Sequence, residues 1–419
     1  MTKRGFVMAI VAEAREEGKR IWGLVRGVKD RASMVKVEEA CWELGVKAGR
    51  RALGEALEWI EGHRGGMECT CGGGAMQREQ RDRDYQTLVG TVWVQRWYYY
   101  CRRCGRSASP LDEWLEGGGR MSLGVQGKMA ELGADWSFAE AAKKLWRLCR
   151  LRVSATAVGN YCRWWAGRSM REGGRVVGAR SGQGVDGGER LNVSIDAGKV
   201  LTIEGGWRDM KIAYFYDDEQ RRRHYVVGIE GADRFGPRVR RAAGRLGLGS
   251  TSNLLVRGDG ADWIWKLAQV ELCGSRQLVD FYHAAAQMGE FTRAVFGEGN
   301  AEGRSWLAER LHSLKHEGPR RLLDVLDGMR LHKKAHREAR RRLANYISKR
   351  IDRMDYPGWL AEGLDIGSGP VESACKRIIN ERLKGGRRWR TATAVHMANL
   401  RSLILSDQWA AFWEQALAA

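Results

Sequence analysis

The chain has 419 residues, 43% of them hydrophobic and 29% charged, enough for two or three domains that each bury a core. Its 71 Lys+Arg against 51 Asp+Glu leave a net charge of +20, an excess that implies a polyanionic partner. No apolar run reaches the ~18 residues of a spanning helix, so nucleic acid is the expected partner and a membrane is not.

The amino terminus, Lys3 and Arg4 before an apolar stretch from Phe6 to Ala12, fails as a signal peptide. The stretch is short, and Glu13 and Glu16 stand where a cleavage site belongs. With nine cysteines, an odd number, this points to a reducing cytoplasm. Residues 1–62 read as a helical segment. Its second helix, Lys36 to Ile60, carries Val37, Cys41, Leu44, Ala48, Ala52 and Ala56 at helical spacing.

Residues 63–118 form a zinc-ribbon-like module. Cys69 and Cys71 precede a hairpin expected within Thr87 to Tyr100, and Cys101 and Cys104 follow it. Two close thiol pairs separated by strands are what a tetrahedral structural zinc requires, and a degenerate ribbon without metal is the alternative. The one-residue gap of the first pair is tighter than usual, and His63 is a substitute ligand. The other cysteines, Cys375 among them, read as core thiols. Arg96, Arg102, Arg103 and Arg106 interleave with Trp97 and Tyr98 to Tyr100, a mixture suited to phosphates and bases.

Residues 119–172 hold a helix-turn-helix-like pair that suits DNA binding. Ser137 caps a helix through Leu148, a break follows at Arg150 to Val153, and Ser154 caps a second helix through Trp165. An ordinary helical hairpin fits the pattern equally. Glu172 to Arg190 is Gly-rich and reads as a linker.

From residue 190 the pattern is α/β. Leu191, Val193 and Ile195 alternate in a strand expected to end at Asp196, before the small residues Ala197 and Gly198. Strands at Met210 to Tyr216 and His224 to Glu230 follow, then a helix from Phe235 to Leu246. A buried strand from Asn253 to Arg257 ends in Gly258-Asp259-Gly260, with Asp262 as candidate cap of the next helix. Gln277 to Val279 runs into Asp280-Phe281-Tyr282-His283. From about residue 289 to 360 the chain is helical and basic. Gly367 to Pro370 then opens a helix with Glu372. A three-strand meander followed by strand–helix–strand argues for a mixed sheet with helices on its faces. Asp196 and Asp259 at the carboxyl ends of neighbouring strands would repel unless divalent metal joined them. Glu372 would complete a site for two ions, with Glu381 and Asp365 as rivals.

The ordered motifs resemble bacterial insertion-sequence transposases of the Asp-Asp-Glu class, most closely the ISKra-type family. They are the paired cysteines, SFAEAAKKL with VSATAV, SIDAGK, WRDMKIA, GDGADWIW, DFYH, GPVES and RLKGGRRW. That resemblance implies a ribonuclease-H-like catalytic domain in two parts, residues 190–288 and 361–419, around an all-helical insertion at 289–360. It implies Mg²⁺ or Mn²⁺ held by Asp196, Asp259 and Glu372, with double-stranded DNA, element ends and target, as substrate. A homo-oligomer on DNA, associated with a bacterial nucleoid, goes with it. Asp280 and His283 match an Asp-x-x-His motif of the related Mutator-like transposases and are expected to be auxiliary. Alternatively, Asp280 simply caps the helix that holds His283. Arg382, Lys384, Arg387 and Arg388 are expected on phosphates and Trp389 on an unpaired base. Two other functions fit the same residues: a zinc-ribbon DNA-binding regulator with an inactive domain, and a structure-specific nuclease.

Overall fold

The computed structural model describes residues 2–63, 65–115, 119–176, 190–220, 222–246, 253–367 and 369–418. Two structural units divide the chain, Met1–Tyr161 and Cys162–Ala419. Among the described residues no helix is long and apolar enough to cross a membrane.

In the first unit, α1 (Lys3–Arg26) and α2 (Arg31–Gly62) pair, the second opened by a capping box between Asp30 and Ser33. A long hairpin follows, β1 (Gln77–Thr87) and β2 (Gly90–Tyr100), with β3 (Ser107–Ala108) on its edge and α3 (Pro110–Leu115) after it. The hairpin expected within Thr87 to Tyr100 is therefore too short. Its turn is at Leu88-Val89, and the whole of Gly90–Tyr100 is one strand paired from Gln77↔Tyr100 to Thr87↔Gly90. Tyr85, Val92, Val94, Leu111 and Leu57 make the small core beneath it. Of the cations expected on nucleic acid here, Arg96 is buried and paired with Asp112 at 3.3 Å.

Next come α4 (Leu123–Asp135), α5 (Phe138–Cys149) and α6 (Ala155–Val176). Ser137 and Ser154 accept from the amides of Glu140 and Ala157, as capping residues do. Arg150 stops α5 in the left-handed region at φ 55°. The unit division falls inside α6, hence inside the segment 119–172. The helix also runs on into the expected linker, whose remainder, 177–189, lies outside the described residues.

The second unit is built on a five-stranded mixed sheet in the order β6-β5-β4-β7-β8. β4 (Leu191–Thr202), β5 (Gly206–Tyr216) and β6 (Arg223–Gly228) form an antiparallel meander, whereas β7 (Leu254–Gly258) and β8 (Arg276–Val279) run parallel to β4. The helices α7 (Ala232–Arg245) and α8 (Asp262–Glu271) make the connections around β7. The core joins Val193, Ile195, Phe215, Val256 and Leu278 to Phe235 and Ile264 of those helices.

After β8 the described chain is helical: α9 (Phe281–Phe296), α10 (Ala301–His316), α11 (Pro319–Gly328), α12 (Lys334–Ser348) and α13 (Tyr356–Ala361). Their inner faces share the core of the sheet through Leu314, Leu322, Leu343 and Ile347. α14 (Gly369–Cys375) then widens into π-helix over Lys376–Asn380 and ends in α15 (Glu381–Leu383). Two last helices follow, α16 (Thr391–Leu405) and α17 (Trp409–Ala418).

Candidate functional site

Strand register sets three aspartates in a row. Ile195 of β4 pairs with Gly258 of β7, and Gly258 pairs with Val279 of β8. The next residue on each strand is Asp196, Asp259 and Asp280. The row is closed by the Asp280 amide donating to the Gly258 carbonyl at 2.8 Å. Adjacent strands lie about 4.8 Å apart, so these carboxylates start from neighbouring positions on one rim of the sheet.

Asp196 does not end its strand. β4 continues six residues further, to Thr202, but only as a hairpin with β5, because β7 stops at Gly258. The acid thus stands where the parallel half of the pairing gives out, and one side of β4 becomes open to a helix. Gly198 admits that helix: a Cβ there would lie 2.5 Å from Cδ1 of Ile379, in the π-helical extension of α14. A small residue on the strand lets the Glu372 helix approach Asp196. Widened helices of this kind recur at functional sites.

The ligand atoms of Asp280, His283 and Glu372 lie within 4.8 Å of one another. Asp196 and Asp259 stand outside that set, so the expected triad is not drawn together as one cluster; Glu372 meets the Asp-x-x-His pair first. The two groups are electrostatically joined all the same, since the charges of Asp259 and Asp196 both act on His283. Asp280 is fully buried and serves the capping role too, accepting the His283 amide at 2.7 Å and facing its Nδ1 at 3.3 Å. That contact lifts the His283 pKa above its ordinary value, with burial opposing it. Burial raises Asp196; the Ala197 amide and the Cys375 thiol pull it back, and the negative charge of Asp259 adds to the rise.

Several expected roles change. Asp262 is the first helical residue of α8 and not its cap; the cap position is Ala261, whose amide donates to Oδ1 of Asp259 at 2.8 Å. Glu381 is spoken for by Arg401 at 2.8 Å, and Asp365 is exposed with its carbonyl accepting from Arg257. Trp389 is not a stacking platform. It is buried, its backbone is bridged to Leu201 and Ile203 at the end of β4, and its indole N–H donates to the Leu383 carbonyl. Arg382 is buried with its guanidinium 5.0 Å from the Trp389 ring. Lys384, Arg387 and Arg388 remain exposed on the loop that Trp389 anchors.

Three contributors carried little sequence signal. Cys375, read as a core thiol, is instead part-exposed and at the site; it follows Glu372 by three residues, the spacing of one helix face, which is the only signal that could have found it. Its Sγ lies 3.3 Å from Oδ2 of Asp196. From the insertion, Tyr346 O–H donates to the Asp259 carbonyl at 3.4 Å and Arg350 Nε to the Gly260 carbonyl at 2.7 Å. Gly260 has φ 94°, and a Cβ there would press on both side chains at 2.9 Å.

The first unit holds a second cluster. Cys69 Sγ is 3.6 Å from Cys104 Sγ, and Cys71 Sγ is 3.7 Å from Cys101 Sγ. A tetrahedral zinc with Zn–S of about 2.3 Å separates its sulfurs by about 3.8 Å, so the four thiols are able to hold that ion. The pairs sit in matching knuckles, each closed by a glycine with positive φ, Gly72 and Gly105, both at 71°. Without metal the thiols share their protons unevenly: the Cys104 amide on Cys101 lowers that thiol to about 6, while hydrogen bonds from the Cys69 and Cys104 side chains raise Cys71 to about 12. His63 is turned away, its Nδ1 2.7 Å from the Trp59 carbonyl. Of the two flanking arginines, Arg103 braces the first knuckle through the Gly72 carbonyl at 3.2 Å, and Arg102 is exposed.

The pattern of an uncharacterised protein family, UPF0236, matches residues 28–176, which hold the second helix, the cysteine cluster and α4 to α6 and stop short of the acidic sheet. No curated protein matches the chain.

Proposed function

We propose that the chain is a DNA transposase of the Asp-Asp-Glu class, cutting at the ends of an insertion sequence and transferring the freed strand into target DNA. The observation that carries this is the shared register of Asp196, Asp259 and Asp280, with Glu372 brought to the same rim. A meander followed by two parallel strands, with acids at the open rim of the central strand, supports a ribonuclease-H-like reading of the sheet. The helical stretch from residue 289, within α9, to α13 stands where that reading expects a helical insertion.

The donor set fits divalent metal. Asp280 and Glu372 offer hard oxygen donors suited to Mg²⁺, and the His283 imidazole beside them makes Mn²⁺ equally acceptable, with Asp196 and Asp259 next along the same rim. When bound, such ions supply Lewis acidity at the phosphodiester and neutralise the carboxylates. The chain's own residues do the positioning. Asp280 fixes His283 through both the amide and the ring, and Cys375 holds one oxygen of Asp196. Tyr346 and Arg350 fix the turn after Asp259. The exposed Lys384, Arg387 and Arg388, with the basic outer face of α12, are suited to phosphate contacts. Two element ends and one target call for at least two protomers.

The test is incubation with the DNA that flanks the gene, plus Mg²⁺ or Mn²⁺, scoring cleaved ends and joined products separately. Asp196→Asn should abolish both and retain DNA binding. Cleavage without joining would indicate a nuclease. Binding without either product in the wild type would indicate a regulator with an inactive domain.

A further inference from the structure

Away from the acids, the second unit contains a cavity of about 350 Å³ where β6, α6, α7 and α16 meet. Its charge is one-sided. Arg171 of α6 and Arg238, Arg241 and Arg245 of α7 line it, and among the described residues no acidic side chain does. The three on α7 recur at i, i+3 and i+7, which places them along one helix face. Arg238 is engaged by Glu230 and the Val227 carbonyl. Arg171, Arg241 and Arg245 form no salt bridge among the described residues and are exposed. Cations of one sign gathered around a concavity repel one another, and two neighbouring histidines register it. Burial lowers both, with Arg245 adding to the effect on His224 and Arg163, then Arg171, adding to that on His396.

A solvated basic face of an amphipathic helix would explain α7 alone. It does not explain why a guanidinium on a different helix points into the same space. Nor does it explain His224 on the edge strand, whose Nδ1 is buried with no hydrogen-bond partner among the described residues. The neutral polar side chains Asn399 and Gln408 complete the wall. Guanidinium forks match phosphate oxygens in geometry, and the volume is that of a small-ligand pocket, too confined for a duplex.

We propose that this cavity is a nucleotide-phosphate site, in which Arg171, Arg241 and Arg245 grip one phosphate group and His224, with Asn399 and Gln408, forms the uncharged wall beside it. The phosphate belongs either to a free nucleotide or to the end of a DNA strand; both present the same chemistry.

The site is tested on the full chain in the presence of EDTA, so that no divalent metal takes part. Binding of ATP, and of a short single strand with and without a 5′-phosphate, is measured for the wild type and for the Arg241→Ala/Arg245→Ala variant. Removing one guanidinium–phosphate hydrogen bond should weaken binding roughly ten-fold or more. ATP binding abolished in the variant assigns the site to free nucleotide. A 5′-phosphate preference abolished in the variant assigns it to a strand end. No phosphate-dependent binding, or binding equal in variant and wild type, overturns the proposal. Should the double variant melt early without ligand, Arg171→Ala, on a separate helix, carries the same comparison. Asp196→Asn should bind all three probes as the wild type does.

Discussion

The Cys375 thiol lies 3.3 Å from Oδ2 of Asp196, one helical turn beyond Glu372, so the helix that delivers the glutamate also pins the first aspartate. Burial, with the neighbouring carboxylate next, pushes the Cys375 pKa up, which keeps the thiol protonated as a donor. Iodoacetamide reacts with thiolate, so alkylation of Cys375 should trail that of the exposed Cys41 and Cys273. Cys375→Ser should keep most of the cleavage activity. Cys375→Ala should lose about ten-fold, on the scale of one hydrogen bond to a charged group. Equal rates for the alanine and serine variants would show that the contact does nothing for the reaction.

Divalent metal should raise the melting temperature of the wild type, because only the folded chain assembles the acids. Asp259→Asn should remove most of that rise, and Glu372→Gln likewise. Calorimetric melts with and without Mn²⁺ read this directly, and a rise of the same size in all three proteins would count against a shared metal site.

The first unit should carry one zinc ion per chain, measurable by elemental analysis. Zinc binding is worth about 10–16 kcal/mol in small zinc-dependent folds, so Cys101→Ser should empty the site and unfold the knuckles. Proteolysis between residues 65 and 106 should then become fast. A metal-free, protease-resistant wild type contradicts the prediction.

The basic loop separates two kinds of residue. Trp389→Ala removes a buried indole and should cost about 3–5 kcal/mol of stability. Replacing Lys384, Arg387 and Arg388 by alanine should leave stability nearly unchanged. If each meets a phosphate, the salt dependence of DNA binding should flatten by about 0.9 log unit per contact. A Trp389→Ala protein of normal stability but weak DNA binding would restore the stacking role.

His224 predicts an acid limb. Burial holds its pKa at about 4, against 6.5 ordinarily, with Arg245 adding to the depression and the Gln408 side chain opposing it. The unfolded chain therefore takes up a proton near pH 6.5 and the folded chain only near 4. Stability present above pH 6.5 is lost as the pH falls toward 4. In denaturant titrations across that window His224→Gln should flatten the loss; an unchanged slope would mean the imidazole is not the group responsible.

Much of the acidic rim was legible because its strands are short and apolar. Leu254 to Val256 and Leu191 to Ile195 could hardly lie anywhere but in a core, and an acid at the end of such a run stands out. The far half of β4 was not legible. Lys199 to Thr202 follows a glycine and reads as a turn, and it is a strand only because β5 pairs with it as far as Thr202↔Gly206. β1 was hidden for a related reason. Its charged residues show no apolar period, and they are held by partners across the hairpin, Arg81 at 3.8 Å from the Tyr98 ring and Arg78 at 4.4 Å from Trp97. The choice between Glu372 and Glu381 could not be read from helical spacing, because a π-helical stretch intervenes and Arg401 claims the second. Trp389 in a basic run looks the same whether it meets a base or Leu201; only the folded chain distinguishes them.

Tyr346 of α12 and Arg350, two residues past its end, make that helix a lever on the rim of the sheet. They hang the backbone oxygens of Asp259 and Gly260 from the insertion, whereas Asp196 lies inside the β4–β5 ladder and Asp280 is tied by its amide to the Gly258 carbonyl. A tilt of that helix should shift the middle carboxylate between two stationary neighbours. Loading the outward Lys334, Arg337 and Arg341 with polyanion is thus expected to retune the spacing of the acids. Deuterium uptake at Gly260 with and without DNA would register the movement, and Arg350→Ala should uncouple it.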